Sequence, residues 1–68
     1  MEKELKIAGM SCNHCVHAVR TALAGLQGLS VRSVSVGLAT VDVDPDQVTD
    51  EQIRLALDEE GYRLETIA

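Results

Sequence analysis

The 68-residue sequence has no tryptophan, no phenylalanine and a single tyrosine, so its core cannot be aromatic. The interior must be aliphatic, and hydrophobic residues make up 46% of the chain. With 25% charged residues, this composition is typical of a folded globular protein and not of a disordered one. A chain this short buries only a small core, so we expect one domain over residues 1–68 and no large catalytic cleft.

Long apolar runs are also missing. No segment approaches the roughly 20 apolar residues that a membrane-spanning helix needs. The start, Met1-Glu2-Lys3-Glu4, leads into no apolar segment of the kind found in secretory signals. The sequence therefore predicts a cytoplasmic protein without direct membrane insertion.

Positive charge is scarce. The chain has 11 acidic and 6 basic residues, and its net charge is −5. Binding to a phosphate backbone needs a basic surface, so a nucleic-acid partner is disfavoured. Two interpretations of the acidity stay open. It can serve solubility, or it can steer the protein toward a basic partner.

Only two cysteines are present, three residues apart, as Cys12-Asn13-His14-Cys15. A disulfide between them would close a very short loop and would stabilise the fold little. In a reducing compartment, such a pair more often binds a metal or takes part in redox chemistry than holds a structure together.

The apolar pattern predicts the order strand, helix, strand, strand, helix, strand. Val34 and Val36 share one face of the second strand, whereas Val31 has the other parity, which predicts a bulge or the strand entry between them. Thr49 and Gln52 have the spacing of a capping box. The predicted elements are strands over 3–7, 31–36, 40–44 and 62–67, a turn over 37–39, and helices over 16–25 and 49–61. This order is typical of the ferredoxin-like βαββαβ open-faced sandwich, an α+β fold whose antiparallel sheet carries two helices on one face.

The cysteine pair lies where a loop runs into the first helix. A helix N-terminus stabilises negative charge and lowers thiol pKa values, and the thiolate is the form that binds metal. A closed zinc site usually needs four ligands, but this chain has one cysteine pair, with His14 and His17 next to it. Two soft thiolates suit Cu(I), which accepts low coordination, and they leave room for an incoming thiolate.

The segment Gly9-Met10-Ser11-Cys12-Asn13-His14-Cys15 resembles the Gly-Met-Thr/Ser-Cys-x-x-Cys signature of the heavy-metal-associated domains. The whole chain is similar to the bacterial copper chaperones of that family, through the hairpin over 31–38 and Gly61-Tyr62 before the last strand. The resemblance implies Cu(I) bound by Cys12 and Cys15. It also implies transfer by thiolate exchange to the metal-binding domain of a copper-transporting P-type ATPase, without catalytic activity.

Residues near the pair have separate expected roles. Met10 is expected to pack in the core and anchor the loop beneath the site. His14 stands where small residues are frequent in the family, which makes it a candidate accessory ligand, whereas ligation by His17 is disfavoured. The resemblance places Tyr62 beside the metal, where it can shield or hydrogen-bond the sulfurs. Ser11 is expected to cap the first helix.

Several alternatives remain open. Zinc and cadmium members of the family tend to carry an aspartate before the first cysteine, and the Ser11 found here favours copper. Mercury-binding relatives, metal sensors and the metal-binding domains of heavy-metal ATPases share the motif. A thiol–disulfide oxidoreductase also has this motif at a helix start, but the chain is short for that fold and its only proline, Pro45, lies in a predicted turn. A copper-dependent homodimer is a further option.

Overall fold

The computed structural model describes residues 1–11 and 13–68, which form four strands and two helices in the order strand, helix, strand, strand, helix, strand. The strands form one antiparallel sheet in the order β2-β3-β1-β4, and the helices contact each other and the sheet. The predicted ferredoxin-like α+β fold is confirmed. The elements are β1 (Glu2–Ala8), α1 (Asn13–Ala24), β2 (Leu29–Ser35), β3 (Leu38–Val43), α2 (Asp50–Glu59) and β4 (Arg63–Ile67).

One face of the sheet is buried under the two helices. The alternation predicted for β1 is confirmed. Leu5 and Ile7 are buried, whereas Glu4 before them and Lys6 between them are exposed. Burial of these aliphatic side chains is the main favourable contribution to folding. The side chains with 0% exposure come from two strands and both helices: Leu5, Val19, Leu23, Val41, Ile53 and Leu57. Among the described residues, no helix is long and apolar enough to cross a membrane.

The β2–β3 hairpin differs from its prediction in where it turns. The register shifts between Val31 and Ser33, so of the two predicted alternatives, a bulge or the strand entry, the structure has the bulge. The turn, however, is Val36-Gly37 and not residues 37–39, because Gly37 has a φ of +83°, a left-handed backbone that suits a tight turn. Consequently β3 begins at Leu38, and Val36 is 52% exposed instead of facing the core beside Val34.

Both ends of α2 are closed by defined hydrogen-bonding motifs. At its start the predicted capping box is confirmed, since the Gln52 amide donates to Thr49 Oγ1 over 3.2 Å and the Thr49 amide donates to Gln52 Oε1 over 2.8 Å. At its end the Tyr62 amide donates to the Leu57 carbonyl over 3.0 Å, and the Gly61 amide donates to the Asp58 carbonyl over 3.0 Å. These two bonds form a Schellman motif, with Gly61 at a φ of +85°. The motif sets the position of Tyr62.

A comparison of two leucines of α2 tests whether the free energy of unfolding depends on the buried core. We expect Leu57→Ala to lower the free energy of unfolding by about 2–5 kcal/mol, because Leu57 is fully buried and truncation leaves a cavity. Leu55→Ala removes the same atoms from the same helix at a position that is 49% exposed, and it should cost about 0.5 kcal/mol or less. Urea unfolding of both variants measures the difference. Equal losses would contradict this core assignment.

Candidate metal site

The predicted metal-binding motif joins β1 to α1. Gly9 ends β1 with a φ of +94°, which an L-residue with a side chain rarely adopts. α1 begins at Asn13, earlier than the predicted start at Val16, so His14 and Cys15 lie in its first turn and not in a loop. The sequence pattern missed this turn because its outward face is polar and carries no apolar periodicity. Cys12 lies outside the described residues, so its role stays a prediction.

Cys15 is half-buried at the start of α1 and has a hydroxyl beside it. Ser11 Oγ lies 3.9 Å from Cys15 Sγ, a contact that was not anticipated, since Ser11 was expected to act as a helix cap. The first turn of α1 contains no acidic residue. The positive end of the helix dipole therefore acts on Cys15, and no carboxylate of that first turn opposes it. This environment favours a thiolate.

Met10 fixes the loop to the core from below, as predicted for it. The side chain is half-buried and packs against the buried cluster. Its sulfur accepts a hydrogen bond from the Gly37 amide over 3.3 Å, and the Gly37 carbonyl in turn accepts one from the Ile7 amide over 3.0 Å. The β2–β3 turn is therefore tied both to β1 and to the loop that follows it.

Tyr62 lies beside the beginning of the motif. Its ring packs against the core, and a Cβ placed on Gly9 would lie 3.6 Å from Tyr62 Cδ1 and 3.8 Å from the Gly61 carbonyl oxygen. The end of α2 thus packs closely against Gly9. The Schellman motif and Gly9 together determine this placement. The predicted role of Tyr62 beside the sulfurs stays a prediction.

The two histidines lie on the outer surface of α1. His14 and His17 are both exposed, whereas Val19 and Leu23 carry the buried face of the same helix. Over residues 1–11 and 13–68, no group of three or more histidine, cysteine, aspartate or glutamate side chains is arranged to hold a metal. The described side chains therefore form no closed site of the kind that structural zinc uses.

The acidic residues divide unequally between the two ends of the sheet. The end that carries the motif lies beside three acids at the close of α2, which are Asp58, Glu59 and Glu60. At the opposite end, the amino-terminal ammonium, by hydrogen bond and charge, and then Arg32 hold the pKa of the Asp42 carboxyl below its usual range. The acids at that end are Glu2, Asp42, Asp44, Asp46, Asp50 and Glu51.

The model of the family described as the heavy-metal-associated domain matches residues 4–63. The chain belongs to this family. Within it, the copper chaperone CopZ of Staphylococcus saprophyticus is 47% identical over 60 residues, which cover 85% of this chain and 88% of that protein. CopZ of Bacillus subtilis is 41% identical over 63 residues, 90% of this chain and 91% of that protein. Human copper-transporting ATPase 2 is 33% identical over 66 residues, 94% of this chain and 4% of the ATPase.

Solved structures of three similar proteins have the same fold. A CopZ metallochaperone superposes with a TM-score of 0.84 at 31% identity, and the match covers 96% of this chain and 100% of that protein. A copper binding domain of a P-type ATPase superposes with a TM-score of 0.86 at 30% identity, covering 96% and 92%. The amino-terminal domain of ZntA in its Zn(II) form reaches 0.75 at 29% identity, covering 94% and 88%. The fold is thus shared by domains described with different metals, and it does not by itself select one.

The hydrogen bond to the Met10 sulfur can be tested directly in this heavy-metal-associated domain. Met10→Leu keeps an apolar side chain of similar size but removes the acceptor. We expect the Gly37 amide to exchange with deuterium about two- to fivefold faster, which corresponds to a weak hydrogen bond. The Ile7 amide, bonded to the Gly37 carbonyl, is the internal control and should keep its rate. Unchanged exchange at Gly37 would show that the sulfur does not hold the turn.

Proposed function

We propose that this heavy-metal-associated domain is a copper chaperone that carries one Cu(I) between the thiolates of Cys12 and Cys15. The observation that supports this most is the 47% identity to a copper chaperone over 85% of the chain. The described part of the site is compatible with it, because Cys15 lies in the first turn of α1 with no acidic residue in that turn. A thiolate there is stabilised before any metal arrives.

The chemistry of the donor set supports Cu(I) over zinc as the cargo. Two thiolates satisfy a soft ion of low coordination number, whereas Zn²⁺ takes four ligands in structural sites. Met10 is already engaged as an acceptor for the Gly37 amide, so we assign it to anchoring the loop. Ser11 lies beside Cys15, where its hydroxyl can orient the sulfur. His14, which the sequence made a candidate accessory ligand, lies exposed in the first turn of α1 and is not part of this two-thiolate site.

Transfer would proceed by ligand exchange. A cysteine thiolate of the metal-binding domain of a copper-transporting P-type ATPase attacks the bound Cu(I), and a three-sulfur intermediate forms. Cys12 or Cys15 then leaves as a thiolate, and a second partner cysteine completes the exchange. Copper remains Cu(I) throughout, so no oxidant or reductant is consumed. The exposed residues Ser11, Asn13 and His14 border this site and leave room for the approach of a partner.

The remaining assignments follow from this mechanism. Residues 1–68 act as one heavy-metal-associated domain, and the exchange transforms no organic substrate, so we propose a carrier and not an enzyme. The two cysteines must remain reduced to bind copper, which places the activity in a reducing compartment such as the cytoplasm. The ATPase relative supports the choice of partner, because a copper ATPase contains a segment similar to this chain.

Removing the two sulfurs tests the site. We expect Cys12→Ser/Cys15→Ser to bind Cu(I) at least about a thousandfold more weakly, because both soft ligands are lost. Anaerobic titration against a competing Cu(I) chelator measures the affinity. His17→Asn is the matched control, since it changes the same helix outside the proposed copper ligands and should bind one Cu(I) per chain as tightly as the native protein.

Two outcomes would overturn this proposal. One is a double-serine variant that still binds one Cu(I) per chain with native affinity, since the copper would then lie elsewhere. The other is catalytic disulfide reduction that depends on Cys12, which would make the chain a thiol–disulfide oxidoreductase instead of a carrier.

The division of acids between the two ends predicts which charges affect copper transfer. Glu59→Gln/Glu60→Gln neutralises two exposed acids near the metal loop, and Glu2→Gln/Asp46→Asn neutralises two exposed acids at the opposite end. We expect the first pair to lower the rate of transfer to an ATPase metal-binding domain several-fold at low salt, because acids near the loop steer a basic partner toward it. The second pair should change the rate less than about twofold, because charges beyond a Debye length are screened. Stopped-flow transfer measurements compare them. Equal sensitivity would show that the position of the acids does not matter.

A further inference from the structure

A pair of histidines on α1 has no function in the proposed copper site. His14 and His17 are three residues apart on a helix, so their Cβ atoms lie about 5–6 Å apart on the same surface. Both are exposed, and within the described part of the chain neither makes a hydrogen bond or an ion pair. α1 contains no aspartate or glutamate, so no carboxylate of the same helix competes for the imidazoles.

Two imidazoles in this arrangement have the chemistry of a chelating pair. Side chains three positions apart on one helix bind a common metal in other proteins, as in the Glu-x-x-His pairs of helical di-iron sites. Neutral imidazole nitrogen is a ligand for Zn²⁺, Ni²⁺ and Cu²⁺, whereas paired thiolates select softer ions such as Cu(I). The two donor sets at the start of α1 therefore prefer different metals.

We propose that His14 and His17 form a second metal site, which binds one divalent ion such as Zn²⁺ separately from the cysteine pair. The two imidazoles supply the protein ligands, and water completes the coordination, because the described residues offer no third histidine, cysteine or carboxylate in a metal-binding group. The site lies on the outer surface of α1, where an ion is reached from solvent without disturbing Val19 or Leu23 below.

The test separates this site from the thiolates by removing them. In a Cys12→Ser/Cys15→Ser background, we titrate Zn²⁺ and follow both imidazole rings by long-range ¹H–¹⁵N spectra. The expected result is one Zn²⁺ per chain with both rings shifting along a single binding curve. Adding His17→Asn should weaken this binding about tenfold or more, while adding Thr21→Ala, a control on the same exposed surface, should leave it unchanged within twofold.

The native chain provides a second, independent measurement. Loaded anaerobically with one Cu(I), it should still bind one Zn²⁺ at the imidazoles without releasing copper, and His17→Asn should lose the zinc while keeping the copper. The proposal is wrong if only one ring responds, if His17→Asn leaves zinc affinity unchanged within twofold, or if the copper-loaded chain binds no zinc. None of these results depends on copper transfer, so failure here leaves the proposed chaperone function to its own tests.

Discussion

The hydrogen bond from the Gly37 amide to the Met10 sulfur is the contact on which the geometry of the metal loop depends. It joins two segments 27 residues apart and fixes the loop between β1 and α1 to the turn between β2 and β3. The Gly37 carbonyl binds the Ile7 amide, so the turn is held by β1 as well. A loop anchored in this way can present the start of α1 at the surface while its base stays attached to the core.

A second set of contacts reaches the same loop from α2. Gly61 ends that helix in a left-handed conformation, and the ring of the next residue, Tyr62, lies against Gly9. The fold therefore brings three connections together at one end of the sheet: the β1–α1 loop, the β2–β3 turn and the connection from α2 to β4. Cys15 then lies at a helix N-terminus, where the dipole stabilises a thiolate.

Local chemistry accounts for what could be predicted from sequence. The alternation in β1, the bulge after Val31 and the capping box of Thr49 and Gln52 each depend on neighbours within a few positions, and all were found as predicted. The turn was predicted at residues 37–39 and not at Val36-Gly37, because the apolar Val36 continues the alternation of the preceding strand. The contacts of Met10 with Gly37 and of Gly9 with Tyr62 join distant segments, so no local pattern contains them.

The motif itself was recognised from sequence because its two cysteines lie three residues apart, but the choice of metal depends on coordination and not on fold. X-ray absorption at the copper edge of anaerobically loaded protein measures that coordination most directly. We expect Cu(I) with two sulfur neighbours and no nitrogen neighbour. A spectrum that requires a nitrogen ligand, or fewer than two sulfurs, would contradict a site made by Cys12 and Cys15 alone.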